Sequence, residues 1–285
     1  MRRFAFPLAF ALLTALPACE PAAPARSALG YSADAKRAYD EAMKEFDAHN
    51  WAESQALFRD VKKRYSYSKF ARLAELRIAD ADFKQDKFAE ALRGYKQFIH
   101  DHKSDQDEVE YARARAAETQ YQEVSDSLLL PAQEERDQAA ALDAYKELSS
   151  FLRDYPGSKQ SAQVCGFLEE ISTRLVRHEL SVARFYLARD NFDAAVGRAQ
   201  YAIRNYAGNE ACAAVPNIVH VRPPDEFGLA PDALLVLGET YLKMRRYDDA
   251  MTTFQVLLSR YPRSPLGAQA REYIGTIAEK SASKG

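Results

Sequence analysis

The stretch Ala233–Pro262, ALLVLGETYLKMRRYDDAMTTFQVLLSRYP, decides the fold. It reads as two antiparallel helices. Small residues at Gly238 and Ala250 let the helices cross closely, and Tyr241, Tyr247 and Phe254 fill the space between them. The Arg260-Tyr261-Pro262 end stops the second helix, because proline cannot continue it.

The same signature recurs upstream. Trp51, Phe88, Phe192 and Tyr247 open second helices, with Ser54, Ala91, Ala195 and Ala250 three residues on and closing residues Tyr65, His102, Tyr206 and Tyr261. A fifth copy has Ala141 and Ala144 in these places and closes at Tyr155-Pro156. The steps between copies are 37, 53, 51 and 55 residues, against about 34 for a minimal tetratricopeptide repeat, so three joints carry extra helix or loop. Gly238, Tyr241, Ala250, Phe254 and Pro262 match the tetratricopeptide pattern. The expected fold is all-α: a right-handed solenoid of about five tetratricopeptide-like helix pairs, its concave face lined by first helices. Composition agrees. The 285 residues hold 49 Ala against 26 Val, Ile and Thr, a balance that favours helix over strand.

Ahead of the repeats lies a processing segment. Arg2 and Arg3 precede an apolar run, Phe4 to Leu16, of 13 residues, too short to span a bilayer and suited to a secretory signal. Leu16-Pro17-Ala18-Cys19 then resembles a bacterial lipobox, in which the Cys19 thiol receives a diacylglycerol and cleavage exposes an amine that is acylated in turn. Several chains anchor firmly because each buried CH₂ contributes about 0.8 kcal/mol and a single chain is marginal. The expected division is a signal at 1–18, a Pro/Ala tether at 19–32 and the solenoid at 33–285. Its repeats fall near 33–68, 69–104, 108–158, 161–209 and 231–264, with a closing helix at 265–281. Loss of Arg2 and Arg3 takes the formal charge from −2 to −4, which gives no global reason to bind nucleic acid.

Cys165 and Cys212 lie 47 residues apart. An oxidising compartment permits a bond between them, yet nothing in the sequence brings their Cα atoms together, and two separate small apolar residues is the plainer reading. Two insertions stand out, Ser125–Gln133 and Glu210–Ala230; the second, long and without a helix of its own, reads equally as a functional loop or as a decoration packed on the solenoid edge. A search for chemistry finds no phosphate loop, HExxH, CxxC or GxSxG. His100-Asp101-His102, the closest histidine pair, falls at a helix end, where a cation suits the dipole, and lacks further ligands nearby. No catalytic residue, cofactor or metal is expected, and a binding scaffold is the economical reading.

The stretch His178–Arg198, HELSVARFYLARDNFDAAVGR, is not dictated by repeat logic. It resembles the fourth-repeat segment of the BamD family, lipoprotein subunits of the bacterial outer-membrane β-barrel assembly machine. Asn50-Trp51, Arg64-Tyr65, Arg136-Asp137-Gln138 and Tyr155-Pro156-Gly157-Ser158 match that family in order. Ser66 to Phe70 departs from it, lacking the family's Pro and Gly. The resemblance implies a non-enzymatic protein on the inner leaflet of the outer membrane, facing the periplasm. Its C-terminal repeats would dock the periplasmic domains of BamA, and its N-terminal repeats would receive unfolded outer-membrane proteins. Tyr65, Tyr67 and Phe70 are then candidate client-binding residues, Tyr65 alternatively a helix-closing core aromatic. Arg198 is the candidate partner-binding residue, alternatively a solvated helix arginine. Two other readings compete. One is a pilotin-type helper for a secretin or pilus, which the stretched repeat spacing disfavours. The other is a lipoprotein cell-wall hydrolase, for which Ser264–Gly285 leaves too little chain.

Overall fold

The structure is a computed structural model that describes residues 28–124, 137–208, 210–216 and 229–282. The signal, Cys19, the first part of the tether, all of Ser125–Gln133 and most of the second insertion lie outside the described residues. Every regular element among those described is helical. The order is α1 (Ala28–Asp47), α2 (Trp51–Arg64), α3 (Lys69–Lys84), α4 (Phe88–Asp101), α5 (Gln106–Gln122) and α6 (Ala139–Asp154). There follow α7 (Ser161–Leu187), α8 (Phe192–Asn205), the single turn α9 (Glu210–Ala213), α10 (Ala230–Lys243), α11 (Tyr247–Arg260) and α12 (Gly267–Ala282). The openers Trp51, Phe88, Phe192 and Tyr247 are the first residues of α2, α4, α8 and α11, and the closers Tyr65, His102, Tyr206 and Tyr261 are their C-caps. The third copy differs: α6 begins at Ala139, two residues before the aligned Ala141, and the Asp137 carboxylate accepts the Ala139 N–H at 3.0 Å.

One turn joins the helices of four pairs. His49, Asp86, Asp190 and Arg245 each stand two residues before an opener, with φ between 57° and 62°. The next residue's N–H bonds back five positions: Asn50 to Glu45, Lys87 to Asp82, Asn191 to Tyr186 and Arg246 to Tyr241, at 2.9–3.1 Å. This is the Schellman closure, which satisfies the orphan carbonyls of the first helix and reverses the chain. Glycine usually takes the left-handed position, and none of the four is glycine.

Packing produces two layers. Each long helix rests on its chain neighbours, and the first helices also touch one another in sequence: α1 on α3, α3 on α5, α5 on α7, α7 on α10. No comparable contact joins the second helices α2, α4, α6, α8 and α11. The first-helix layer is therefore the crowded, concave side. The core is divided to match. Ala42, Phe58, Val61 and Tyr65 centre the first repeat, and Leu76, Tyr95 and Phe98 the second. A larger continuous core, from Leu148 and Phe151 to Phe254 and Leu257, unites the last three. Gly238 does what the signature requires: a Cβ there would lie 2.4 Å from the ring of Phe254.

Two expectations about the second insertion are corrected. Cys165 and Cys212 are bonded, with Cα atoms 5.6 Å apart, rather than packing as separate residues. The insertion also begins with a helix of its own, α9, which lies against α6 and α7 and is tied to α7 by that bond. The pairing joins residues far apart in sequence through α9, an element that repeat periodicity does not supply.

Candidate functional site

The corner between α2 and α3 is held by Ser68. Its hydroxyl accepts the Ala71 N–H at 3.2 Å, capping α3, and donates to the Tyr65 carbonyl at 2.8 Å. The three aromatics expected to bind clients here meet different fates. Tyr65 is 4% exposed and meets Tyr31 edge to face at 5.4 Å, so it takes the packing role given above as its alternative. It also lines a small cleft of about 290 Å³ with Asp34, Arg37, Glu41 and Arg64, whose charges balance. Phe70 is half-buried against Tyr39 at 5.7 Å, with the Lys69 ammonium 5.3 Å from its ring. Tyr67 is 95% exposed. Of the three, it alone presents its whole ring to solvent.

Beside this corner runs a polar network that the sequence reading did not single out. Asp80 of α3 is 2% exposed. Its carboxylate accepts the Tyr95 hydroxyl of α4 at 2.6 Å and the Tyr111 hydroxyl of α5 at 2.9 Å. It also bonds Arg77 and lies 3.5 Å from Arg115. Arg77 donates on to the Tyr39 hydroxyl of α1 at 3.3 Å, and Arg115 pairs with Glu118 and stacks 4.1 Å from the Phe83 ring. Burial, then the Asp80 charge, pushes Tyr111 up to about 12 and Tyr95 well above its ordinary value. Burial opposes the charges of Arg77 and Arg115, but the acidic and phenolic groups around them outweigh it and raise both. Two cations face two carboxylates, so the network is neutral. It stitches α1, α3, α4 and α5 into one unit behind the concave face and has no charge left to recruit a ligand. Asp80 sits between Ala79 and Ala81, and Asp82 follows two residues on, so nothing in the local sequence marks Asp80 as the buried carboxylate.

The histidine pair forms contacts within the solenoid. His100 bonds the neighbouring Asp101 at 2.9 Å, and His102 bonds Glu75 of α3 at 3.0 Å. Among the described residues no group of three or more His, Cys, Asp or Glu is arranged to hold a metal ion. Arg198 of α8 donates to Glu179 of α7 at 3.1 Å; Glu179 is buried, while 45% of the Arg198 side chain stays open. Both residues belong to the His178–Arg198 stretch. The arginine neutralises a buried carboxylate and still offers a guanidinium edge to solvent.

A family model described as outer membrane lipoprotein, YfiO, matches residues 32–219, from α1 through α9. The chain belongs to the YfiO family of outer membrane lipoproteins. The YfiO match contains the α2–α3 corner, the Asp80 network and the Glu179–Arg198 pair. A tetratricopeptide-repeat model covers residues 232–264, which is the α10–α11 pair. The outer membrane protein assembly factor BamD of Neisseria meningitidis serogroup A is 25% identical over 232 residues, spanning 81% of this chain and 80% of its own. That of Xylella fastidiosa strain 9a5c is also 25% identical over 232 residues, spanning 80% and 72%. Among solved structures, a thermophilic tetratricopeptide protein of Thermus thermophilus superposes with a TM-score of 0.30 at 14% identity, over 86% of this chain and 98% of its own. No helix of this YfiO-family chain, among the described residues, is long and apolar enough to cross a membrane.

Proposed function

We propose that this chain is a non-catalytic scaffold of outer membrane protein assembly. It is held on the outer membrane through an acylated Cys19 and docks other polypeptides in the periplasm. The match of residues 32–219 to the outer membrane lipoprotein family carries the reading, and relatives named as outer membrane protein assembly factors support it. The fold suits that role, because a stack of helix pairs offers an extended concave surface on which a chain with spaced aromatics can lie. Tyr67 and Phe70 at the N-terminal corner would meet clients, with Tyr65 setting the corner from beneath. The C-terminal repeats would dock a BamA-like β-barrel protein through its periplasmic domains, with Arg198 in contact.

Purification of the tagged protein from detergent-solubilised envelopes, followed by mass spectrometry, tests the reading. It predicts recovery of a large β-barrel protein with repeated periplasmic domains, reduced by Arg198→Glu. Because Arg198→Glu also sets a second carboxylate against Glu179, a thermal melt and the charge-retaining Arg198→Lys accompany it. Recovery only of a secretin or a pilus component overturns the assignment. Cys19→Ala should leave the protein soluble in the periplasm; if it still floats with membranes, the anchor is elsewhere.

A further inference from the structure

Where α6, α8 and α11 end, they enclose a half-open cavity of about 590 Å³. All three are second helices, and each brings an arginine from its last turn: Arg153, Arg204 and Arg260. Arg153 and Arg204 stand two residues before the closers Tyr155 and Tyr206, and Arg260 one residue before Tyr261, so all three fall in the closing turn of consecutive second helices. Tyr145 and Ser149 of α6, and Ala211 of α9, complete the wall.

None of the three guanidiniums has an acidic partner among the described residues. Some exposed arginines elsewhere are paired, Arg64 with Asp60, Arg93 with Glu90 and Arg246 with Asp249, but what sets these three apart is that one cavity gathers them. Asp154, next to Arg153, is committed to Arg113 at 2.6 Å. The cavity is also preformed, because the Tyr145 hydroxyl donates to the Asn205 carbonyl at 2.7 Å and fixes α6 against the end of α8. Three helix C-termini carry about half a negative charge each, so three full positive charges leave a net excess of roughly 1.5.

We propose that this cavity docks an acidic peptide segment of a protein partner, whose carboxylates bridge Arg153, Arg204 and Arg260. The proposal deepens the scaffold reading and rests on it. A guanidinium fork takes a carboxylate through two parallel hydrogen bonds. Three forks from three successive repeats suit a chain carrying several carboxylates better than a single phosphate. A membrane surface fits less well: Tyr67, Phe185 and Tyr201, the exposed large hydrophobics among the described residues, are not in the lining, so nothing at the rim would enter a bilayer.

Fluorescence anisotropy with a fluorescein-labelled octaglutamate peptide tests this on the full chain. Arg153→Gln, Arg204→Gln and Arg260→Gln should each weaken binding by about threefold, the scale of an exposed ion pair, and together by about thirtyfold. Arg93→Gln on α4 should leave it unchanged, and rising salt should weaken it. Equal binding by the triple variant overturns the proposal. So does binding to phosphatidylglycerol vesicles without binding to the peptide, or full displacement of the peptide by equimolar inorganic phosphate. If the triple variant fails to fold by circular dichroism, the three single variants decide. Arginine-dependent peptide binding in a chain whose depletion leaves outer membrane assembly intact would refute the scaffold reading alone; assembly dependence without peptide binding would refute this proposal alone.

Discussion

Replacing Asp80 with alanine should strip the N-terminal half of its stability while leaving the C-terminal half folded. The carboxylate is the common acceptor for Tyr95, Tyr111 and Arg77, with Arg115 at 3.5 Å. Removing one member of a buried ion pair costs about 3–5 kcal/mol. Here 27% of the Arg77 side chain and 15% of Arg115 remain open to water, which places the ionic loss near the lower end, about 3 kcal/mol. The Tyr95 hydroxyl is fully buried and loses its acceptor, adding roughly 1 kcal/mol. The total, about 4 kcal/mol, is a large share of the stability a domain usually has. The loss should be local, because the first two repeats have cores separate from the one that unites the last three. The chain supplies its own probe. Trp51 is the only tryptophan, and it packs on Phe46 and His49 in the first repeat. Urea unfolding followed by Trp51 fluorescence should shift to lower urea by about 1.5 M, while the later far-UV transition, from the C-terminal repeats, stays in place. Asp80→Asn, which keeps an acceptor for Tyr95 but not the charge, should fall between. A fluorescence midpoint for Asp80→Ala within about 0.5 kcal/mol of wild type would refute the reasoning.

Gly238→Ala should destabilise by about 1 kcal/mol, because overpacking against the buried Phe254 ring, itself stacked on Tyr273, outweighs the gain in helix propensity. A thermal melt checks it, and a raised Tm contradicts it. Reducing the Cys165–Cys212 bond opens a link across 47 residues and should lower stability by up to about 4 kcal/mol, read from urea curves with and without reductant. Indistinguishable curves would show that the bond does not constrain the chain. Alkaline pH should unfold the N-terminal half. Tyr95 and Tyr111 hold their protons more tightly folded than unfolded, Tyr111 up to about 12, so their contribution is complete below about pH 10 and is lost as pH rises toward 12. Ultraviolet titration should show tyrosines that ionise only on unfolding; ordinary titration of every tyrosine with the fold intact would contradict this.

Helix boundaries were legible where an aromatic opens or closes a second helix. Trp51, Phe88, Phe192 and Tyr247 mark the points at which the chain turns back onto the first helix, and bulky rings are needed there to fill the crossing. The glycine at 238 was legible for the same reason, as the place where the crossing is tightest. The turns before those openers were not. His49, Asp86, Asp190 and Arg245 adopt left-handed backbone without glycine, so composition does not flag them. The Asp80 network was hidden because Arg77 and Asp80, or Arg115 and Glu118, look in sequence like ordinary helix-surface pairs three apart. What makes them a buried unit is the approach of α1, α4 and α5, which no local pattern encodes. Tyr65, Tyr67 and Phe70 could be placed at one corner from sequence, but which ring is buried depends on the cap that Ser68 makes. The cysteine pair required α9, an element outside the repeat.

Depletion of the chain from its native cells tests the central claim most directly. Quantitative proteomics of the outer membrane, with heat-modifiability as the measure of folded barrels, should show β-barrel proteins falling together and unfolded precursors accumulating in the periplasm. Wild-type chain should restore both. Unchanged folded β-barrel levels after complete depletion, or loss of one secretin alone, would contradict the account.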